Sequence, residues 1–171
     1  MKKLLIVLAF VFGVGHSASA QTDYSLISRF LNSVVNQDVN EMMDVLAPRC
    51  YDDINEIIVA SETLGFKQWQ LIGNVTFENG AVSYIAAVYV GDVVNQKVQD
   101  FFGGGNDYQR YISPSGHVFL YEVLSIYNDN GRKCVWCNGD FLSIMEVEKM
   151  LRMSGKSLPS NFYEGGLIWV P

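Results

Sequence analysis

The sequence predicts an α+β domain in which N-terminal helices pack on a curved antiparallel sheet, followed by a late helix and a C-terminal tail. Two observations lead to this class. Up to Phe66 the apolar residues recur at the three- and four-residue spacing of amphipathic helices, and from Trp69 onwards the spacing changes to two. Helices that precede an antiparallel meander usually cover one of its faces. We therefore expect the helices to lie on one face of the sheet.

Three helices are predicted in the first part of the chain. The segment TDYSLISRFLNSVVNQ forms the first, which Thr22 or Asp23 can cap. Asp38 is a good N-cap for the second helix, which ends before Pro48. The segment YDDINEIIVASETLGF predicts a third helix that ends at Gly65. The inward faces consist of apolar residues at helical spacing: Leu26, Ile27, Phe30, Leu31, Val34 and Val35, then Val39, Met42, Met43 and Leu46, then Ile54, Ile57, Ile58 and Leu64.

Four or more strands are predicted after these helices. WQLIGNVTF is the first, and the hairpin signal Asn79-Gly80 leads into AVSYIAAVYV. This second strand is apolar on both faces, so we expect it in the middle of the sheet. A short helix is expected around 93–102, before a long strand from His117 to Tyr127 that pairs with RKCVWC. One face of the first strand would consist of Trp69, Leu71, Val75 and Phe77.

A late helix follows the sheet. Ser143 and Glu146 have the spacing of a capping box, and Gly155 ends the helical pattern. The rest of the chain, KSLPSNFYEGGLIWVP, is interpreted as a tail. The inward face of this helix is predicted to consist of Ile144, Met145, Val147, Met150 and Leu151.

The first twenty residues have the pattern of a bacterial signal peptide. Two lysines precede an apolar run from Leu4 to Val14, and Ala18-Ser19-Ala20 is an A-x-A cleavage site. We expect cleavage after Ala20, with residues 21–171 forming a single domain. The apolar run is too short for a membrane span. The protein is therefore expected in the periplasm or outside the cell, without stable membrane anchoring.

The charge balance excludes some classes of partner. The chain has 12 basic and 18 acidic residues and a formal charge of −6, which becomes −8 if the first twenty residues leave with their two lysines and no acid. Nucleic-acid binding requires a basic patch against the phosphates, and anionic lipid surfaces repel acidic proteins. We therefore expect neither nucleic acid nor an anionic membrane surface as a partner.

The order of elements resembles that of a known superfamily. An N-terminal helix that leads into NQDVNEMMDVLAP, then another helix and a curved meander, is similar to the NTF2-like, cystatin-like cone superfamily, mainly over Ser25 to Val75. The resemblance implies a pocket between sheet and helices, in a family that includes enzymes, ligand binders and scaffolds, and a homodimer through the sheet is one expectation. Its catalytic members place a His–Asp pair in that pocket, a pattern that His117 does not match here.

Three cysteines remain after the signal segment: Cys50, Cys134 and Cys137. CVWC lies in a predicted strand rather than at a helix N-terminus, which disfavours thioredoxin-type chemistry. Zinc would need Cys₃His with His117, and only the residue count supports it. We expect one disulfide among the three, with free buried thiols as the alternative. A bridge from Cys50 to either of the other two closes a loop of about 85 residues and would contribute roughly 4 kcal/mol. No metal or cofactor is expected.

Two side chains are candidates for acid–base chemistry. Glu122 falls in phase with apolar neighbours on its strand, so it either faces inward, where a carboxylate requires a partner or a cavity, or lies on a solvent-facing side. His117 is the one histidine beyond the signal segment and is either a surface residue or a functional one. The acidic group Asp52, Asp53 and Glu56 could share a proton or bind a metal, but we interpret it as helix capping.

The aromatic residues supply candidate binding surfaces. Tyr84, Phe119, Tyr121 and Trp136 are predicted to contact a ligand, while most other aromatic residues belong to the core. The loop FFGGGNDYQRY combines glycines with aromatic side chains, which suits a partner contact or a pocket lid.

These observations give one leading function and two alternatives. The leading interpretation is an exported, non-enzymatic domain that binds a small apolar ligand or a protein partner in a pocket between helices and sheet. The first alternative is an enzyme that uses that pocket, with Glu122 as acid–base and His117 assisting. The second is an envelope thiol–disulfide protein built on CVWC.

Overall fold

The computed structural model describes residues 23–52, 54–92, 95–103, 106–113, 116–137 and 139–158. The predicted signal peptide and the tail beyond residue 158 lie outside these ranges. The helices are α1 (23–36), α2 (Val39–Val45), α3 (Asn55–Leu64), α4 (Gln96–Phe101) and α5 (Ile144–Met153), with short 3-10 helices at Pro48–Cys50 and Asn106–Tyr111. The strands are β1 (Gln68–Thr76), β2 (Val82–Asp92), β3 (His117–Asp129) and β4 (Arg132–Trp136).

The four strands of the described chain form one antiparallel, curved sheet in the order β1-β2-β3-β4. This confirms the predicted α+β class and the central position of AVSYIAAVYV, which is β2. The hairpin between β1 and β2 turns at Asn79-Gly80, where Gly80 has a φ of 81°. Each strand is therefore followed by its spatial neighbour, as in a simple meander.

The N-terminal helices cover one face of the sheet, as predicted. The first core, between α1–α4 and this face, contains Phe30 and Leu31 from α1, Met42 from α2, Ile57 from α3 and Val98 from α4. The sheet contributes alternate residues of its central strands, because successive side chains of a strand point to opposite faces. These sheet residues are Ala86, Val88 and Val90 of β2 and Val118, Leu120 and Leu124 of β3.

The position of the late helix differs from the prediction that all helices lie on one face of the sheet. Helix α5 packs on the opposite side of the sheet, where Val147 and Leu151 are fully buried. The sheet is therefore covered on both faces, and its central strands are apolar on both sides for that reason. The sheet residues of this second core are Ile72, Val75, Ile85, Ala87, Phe119 and Tyr121.

A β-bulge in β1 changes the predicted face of its residues. The pairing with β2 shifts between Leu71 and Gly73, so Trp69 and Leu71 pack against the first core while Val75 packs in the second. Phe77, predicted to share their face, is 47% exposed. Because a bulge inserts one residue, strict alternation along the strand fails at that point.

Local sequence signals place most helix ends correctly. Asp38 caps α2 by accepting from the Glu41 N–H, Gly65 ends α3 with a φ of 68°, and Ser143 forms the predicted capping box with Glu146 at α5. Within α5, Met145 is 73% exposed and not inward as predicted.

The start of α3 differs from the prediction. Helix α3 has Ile54 at its N-cap and no side-chain cap, so Asp52 does not cap it. The carbonyl of Asp52 instead accepts from Asn55 Nδ2. Asp53 lies outside the described residues.

The outer strands of the sheet are each contacted from outside it. Near β4, the Ala47 N–H donates to the Val135 carbonyl at 2.8 Å, and Leu46 forms a bridge with Val135. Near β1, Lys156 Nζ donates to the Asn74 carbonyl at 2.9 Å. Both edge strands therefore have a backbone carbonyl that is already bonded by a group outside the sheet.

None of the helices in the described part of the chain is long and apolar enough to cross a membrane.

Candidate functional site

A pocket of about 410 Å³ lies between α3 and the segment that follows β2. We call it the aromatic pocket, because four of the seven lining residues that the structure describes are aromatic. It opens at the surface of the helical layer, next to Val59, which is 54% exposed. The lining residues are Asn55, Glu56 and Val59 of α3, Phe101 and Phe102 at the end of α4, Tyr111 of the second 3-10 helix, and Phe141.

The short helix α4 positions two of the aromatic side chains. Asn95 caps α4 by accepting from the Lys97 N–H, and Val98 fixes the helix to the first core. Gly91 of β2 permits this approach: a Cβ there would lie 3.2 Å from Val98 Cγ2, at a φ of 148° that L side chains rarely adopt. The end of α4 is therefore held close to the sheet.

The aromatic rings of the pocket support one another. Phe101 and Phe102 pack edge to face with centroids 5.1 Å apart, and Phe102 stacks on Tyr111 at 5.0 Å. The Tyr111 hydroxyl donates to the Phe141 carbonyl at 3.5 Å, which links the fourth aromatic residue to the group. Edge-to-face and offset-stacked pairs are favourable ring geometries, so the pocket wall is formed before any ligand arrives.

The polar part of the pocket belongs to α3. Asn55 and Glu56 are exposed residues of its first turn, and within the described ranges no lysine or arginine lines the pocket. The arrangement can hold an apolar group against the rings and a polar group near the carboxylate.

The four side chains predicted to bind a ligand do not meet at one site. Tyr84 and Trp136 are partly buried against the first core. Phe119 and Tyr121 are buried in the second core, on the α5 side of the sheet. None of the four lines the aromatic pocket. The loop FFGGGNDYQRY, predicted to contact a partner or cover a pocket, instead supplies three of its lining residues.

Glu122 faces inward and is only 3% exposed. Its Oε1 accepts from the Val123 N–H at 3.2 Å, and its Oε2 has no hydrogen-bond partner in the described ranges. Burial raises the pKa of Glu122 well above its ordinary value, and the nearby Asp140 and Cys50 raise it further. Burial therefore favours the neutral form of this carboxyl group, which avoids the cost of burying a charge.

The predicted disulfide is not formed in this structure. No disulfide joins Cys50, Cys134 or Cys137, and all three side chains are buried. Cys50 and Cys137 lie in hydrogen-bond contact, and this contact, together with burial and the nearby Glu122, raises the pKa of the Cys137 thiol. Because thiol–disulfide exchange needs a thiolate, this environment does not support redox catalysis at CVWC.

His117 is paired with a carboxylate that the sequence did not indicate. Its Nδ1 N–H donates to Asp92 Oδ1 at 2.6 Å, and the Tyr89 hydroxyl donates to the same oxygen at 2.8 Å. The pKa of Asp92 is lowered, first by the hydrogen bond from His117 and then by that from Tyr89. Burial, the hydrogen bond to Asp92 and the negative charge of Asp92 raise the pKa of Tyr89 to about 12.

Glu122 and His117 do not form a joint acid–base site. They are five residues apart on β3, so they point to opposite faces and lie about 17 Å apart along the strand. His117 is next to Tyr89 and Phe119 on the α5 side, whereas Glu122 is next to Cys50 on the helical-layer side. In the described ranges no three His, Cys, Asp or Glu side chains group as metal ligands.

Comparison with known proteins gave no match to a family model, to a curated protein or to a solved structure. The NTF2-like resemblance therefore stays a prediction that rests on the order of elements.

Proposed function

We propose that this protein is an exported, non-enzymatic domain that binds a small apolar ligand in the aromatic pocket. The observation that carries the proposal is the lining of that pocket, in which four aromatic residues and Val59 face a cavity of about 410 Å³. The signal-peptide pattern of the first twenty residues supports export. The NTF2-like resemblance implies a pocket between helices and sheet, whereas the described lining of the aromatic pocket comes from helices and loops, so the resemblance supports a binding role in general and not this site.

The size and lining of the pocket favour modest affinity. A ligand that buries about 300 Å² of apolar surface would gain roughly 7 kcal/mol at 25 cal/mol/Å². Loss of translational and rotational freedom costs at least about 4 kcal/mol of this gain, so we expect dissociation constants in the millimolar range. The pocket volume lies within the usual range for small-molecule sites.

A protein partner through the sheet is the weaker candidate. The helical layer covers one face of the sheet and α5 covers the other, and both outer strands have a bonded carbonyl. We therefore expect the possible homodimer to use a surface other than the two covered faces of the sheet.

The proposal can be tested with a neutral, fluorescent apolar probe such as N-phenyl-1-naphthylamine. Val59→Lys places a charged side chain at the mouth of the pocket and should weaken probe binding about tenfold. Met153→Lys is the matched control, because Met153 is an apolar helix residue that is 80% exposed and does not line the pocket. The Met153→Lys variant should bind the probe with an affinity within about twofold of the wild type. An equal loss in both variants, or in neither, would contradict the proposal.

A further inference from the structure

We propose that the ligand of the aromatic pocket carries an organic cation, of the substituted-ammonium class, beside its apolar part. This inference rests on the proposed function, since it names the chemistry of the ligand for the same pocket. The feature that carries it is the combination of aromatic rings with one carboxylate, and without a basic residue, among the described residues of the lining.

The rings supply the first part of the recognition. The face of an aromatic ring is negative, and methyl-substituted ammonium groups bind proteins by packing against several such faces. Phe101 lies nearly perpendicular to Phe102, at an interplanar angle of 84°, and Tyr111 and Phe141 complete the group. Rings in different orientations can surround a rounded cation in a way that a single flat wall cannot.

The Tyr111 ring already has a cationic neighbour. The guanidinium carbon of Arg110 is 5.3 Å from the centroid of the Tyr111 ring. Arg110 is not a lining residue, and its Nη2 is 3.5 Å from Glu146 Oε2, which offsets its charge. Arg110 therefore lies within the distance at which a cation is attracted to the face of an aromatic ring.

The carboxylate supplies the second part. Of the lining residues that the structure describes, Glu56 alone has a formal charge. Asp52 lies one turn before it and is also exposed, which adds a second negative charge on this side. An anionic ligand would meet Glu56, and the described lining offers no lysine or arginine to pair with it. A cationic group attached to an apolar body satisfies both the rings and the carboxylate.

The test compares two ligands of the same shape that differ in charge. Choline contains a trimethylammonium group, and 3,3-dimethylbutan-1-ol has a neutral tert-butyl group in its place. Affinities are measured by ligand-observed NMR at low and high salt on the purified protein. We expect choline to bind about tenfold more tightly than the neutral alcohol, with the ratio falling as salt screens Glu56.

Two variants assign that preference to the pocket. Glu56→Gln keeps the side-chain shape and removes the charge, so the choline-to-alcohol ratio should fall to about two. Glu62→Gln removes the same charge from an exposed position on the same helix, outside the lining, and should keep the wild-type ratio. Equal affinity for both ligands in the wild type, no binding of choline, or an unchanged ratio in Glu56→Gln would each overturn the inference.

The failure of this inference is separable from that of the proposed function. If the neutral alcohol displaces the apolar probe and choline does not, the pocket binds apolar ligands without a cation. If Val59→Lys leaves the binding of the probe and of both ligands unchanged, the aromatic pocket is not the binding site and both proposals fail.

Discussion

Leu151 of α5 lies directly over Gly73 of β1: a Cβ on Gly73 would be 2.6 Å from Leu151 Cδ2. The β1–β2 pairing shifts between Leu71 and Gly73, so α5 packs on β1 next to the bulge. Leu151 is fully buried, and it fixes α5 to the second core.

We expect Gly73→Ala to destabilise the protein by about 1–3 kcal/mol, because the new methyl group forces the Leu151 side chain out of its position. Leu151→Ala should cost about 2–5 kcal/mol by leaving a cavity. The double variant should be clearly less destabilised than the sum, since the alanine at 73 then occupies space that Leu151 has left. Urea unfolding of the four proteins checks this, and strict additivity would show that the two residues do not compete for space.

Glu122 predicts an unusual pH dependence of stability. Its pKa is raised in the folded state, so between the unfolded value of about 4.5 and the folded value the native protein holds more protons than the unfolded chain. The free energy of unfolding should therefore fall as pH rises above 4.5, by up to about 1.4 kcal/mol per pH unit. Below pH 4.5 the contribution of Glu122 to the free energy of unfolding is fully present.

Glu122→Gln should remove this pH dependence and make the protein more stable than the wild type at neutral pH, because the amide cannot ionise. Chemical unfolding across the pH range measures the effect. Glu62→Gln, on an exposed face of α3, serves as the control and should follow the wild-type profile. A Glu122→Gln variant that loses stability equally at every pH would keep the wild-type profile and would show that Glu122 is not the source of the pH dependence.

The hydrogen bond between Tyr89 and Asp92 predicts a shift in a tyrosine titration. The pKa of Tyr89 is about 12, from burial first and then from the hydrogen bond to Asp92 and its negative charge. Asp92→Asn removes the negative charge and weakens the hydrogen bond, so the pKa of Tyr89 should move part of the way back towards 10. Titration of the tyrosine ring carbons by NMR follows this directly. No movement would show that burial alone sets the pKa.

Burial of all three thiols predicts that they are protected in the native protein. Cys50, Cys134 and Cys137 are each at most 1% exposed. A thiol reagent should therefore react with none of them in buffer and with all three in denaturant. Reaction of one thiol in denaturant would reveal the disulfide that the sequence predicted. Mass mapping of that bridge would then test whether it joins Cys50 and Cys137, which are already in contact.

Features encoded by neighbouring residues could be predicted from the sequence. The Asp38 cap, the Gly65 helix end and the Ser143–Glu146 capping box each depend on a few consecutive residues, and all three are present. The face assignment of β1 failed because the bulge at Gly73 reflects the packing of α5, which is remote in sequence.

The candidate site was predicted only in part, because it is assembled from distant segments. The aromatic loop pointed to Phe101, Phe102 and Tyr111, but their neighbours Val59 and Phe141 come from other parts of the chain. Likewise, the pairing of His117 with Asp92 depends on the β2–β3 register, in which these two residues are opposite each other. Strand register between segments 25 residues apart carries no local signal.

The bonded outer strands affect how copies of the chain behave at high concentration. An exposed strand edge is a template on which another chain can add a strand and begin an aggregate. Here the Ala47 N–H donates to the Val135 carbonyl at one edge of the sheet, and Lys156 Nζ donates to the Asn74 carbonyl at the other edge. A lysine is also a charge that an incoming strand would have to bury. We therefore expect the turn after α5 to hinder the addition of a strand next to Asn74, whether or not a ligand is bound.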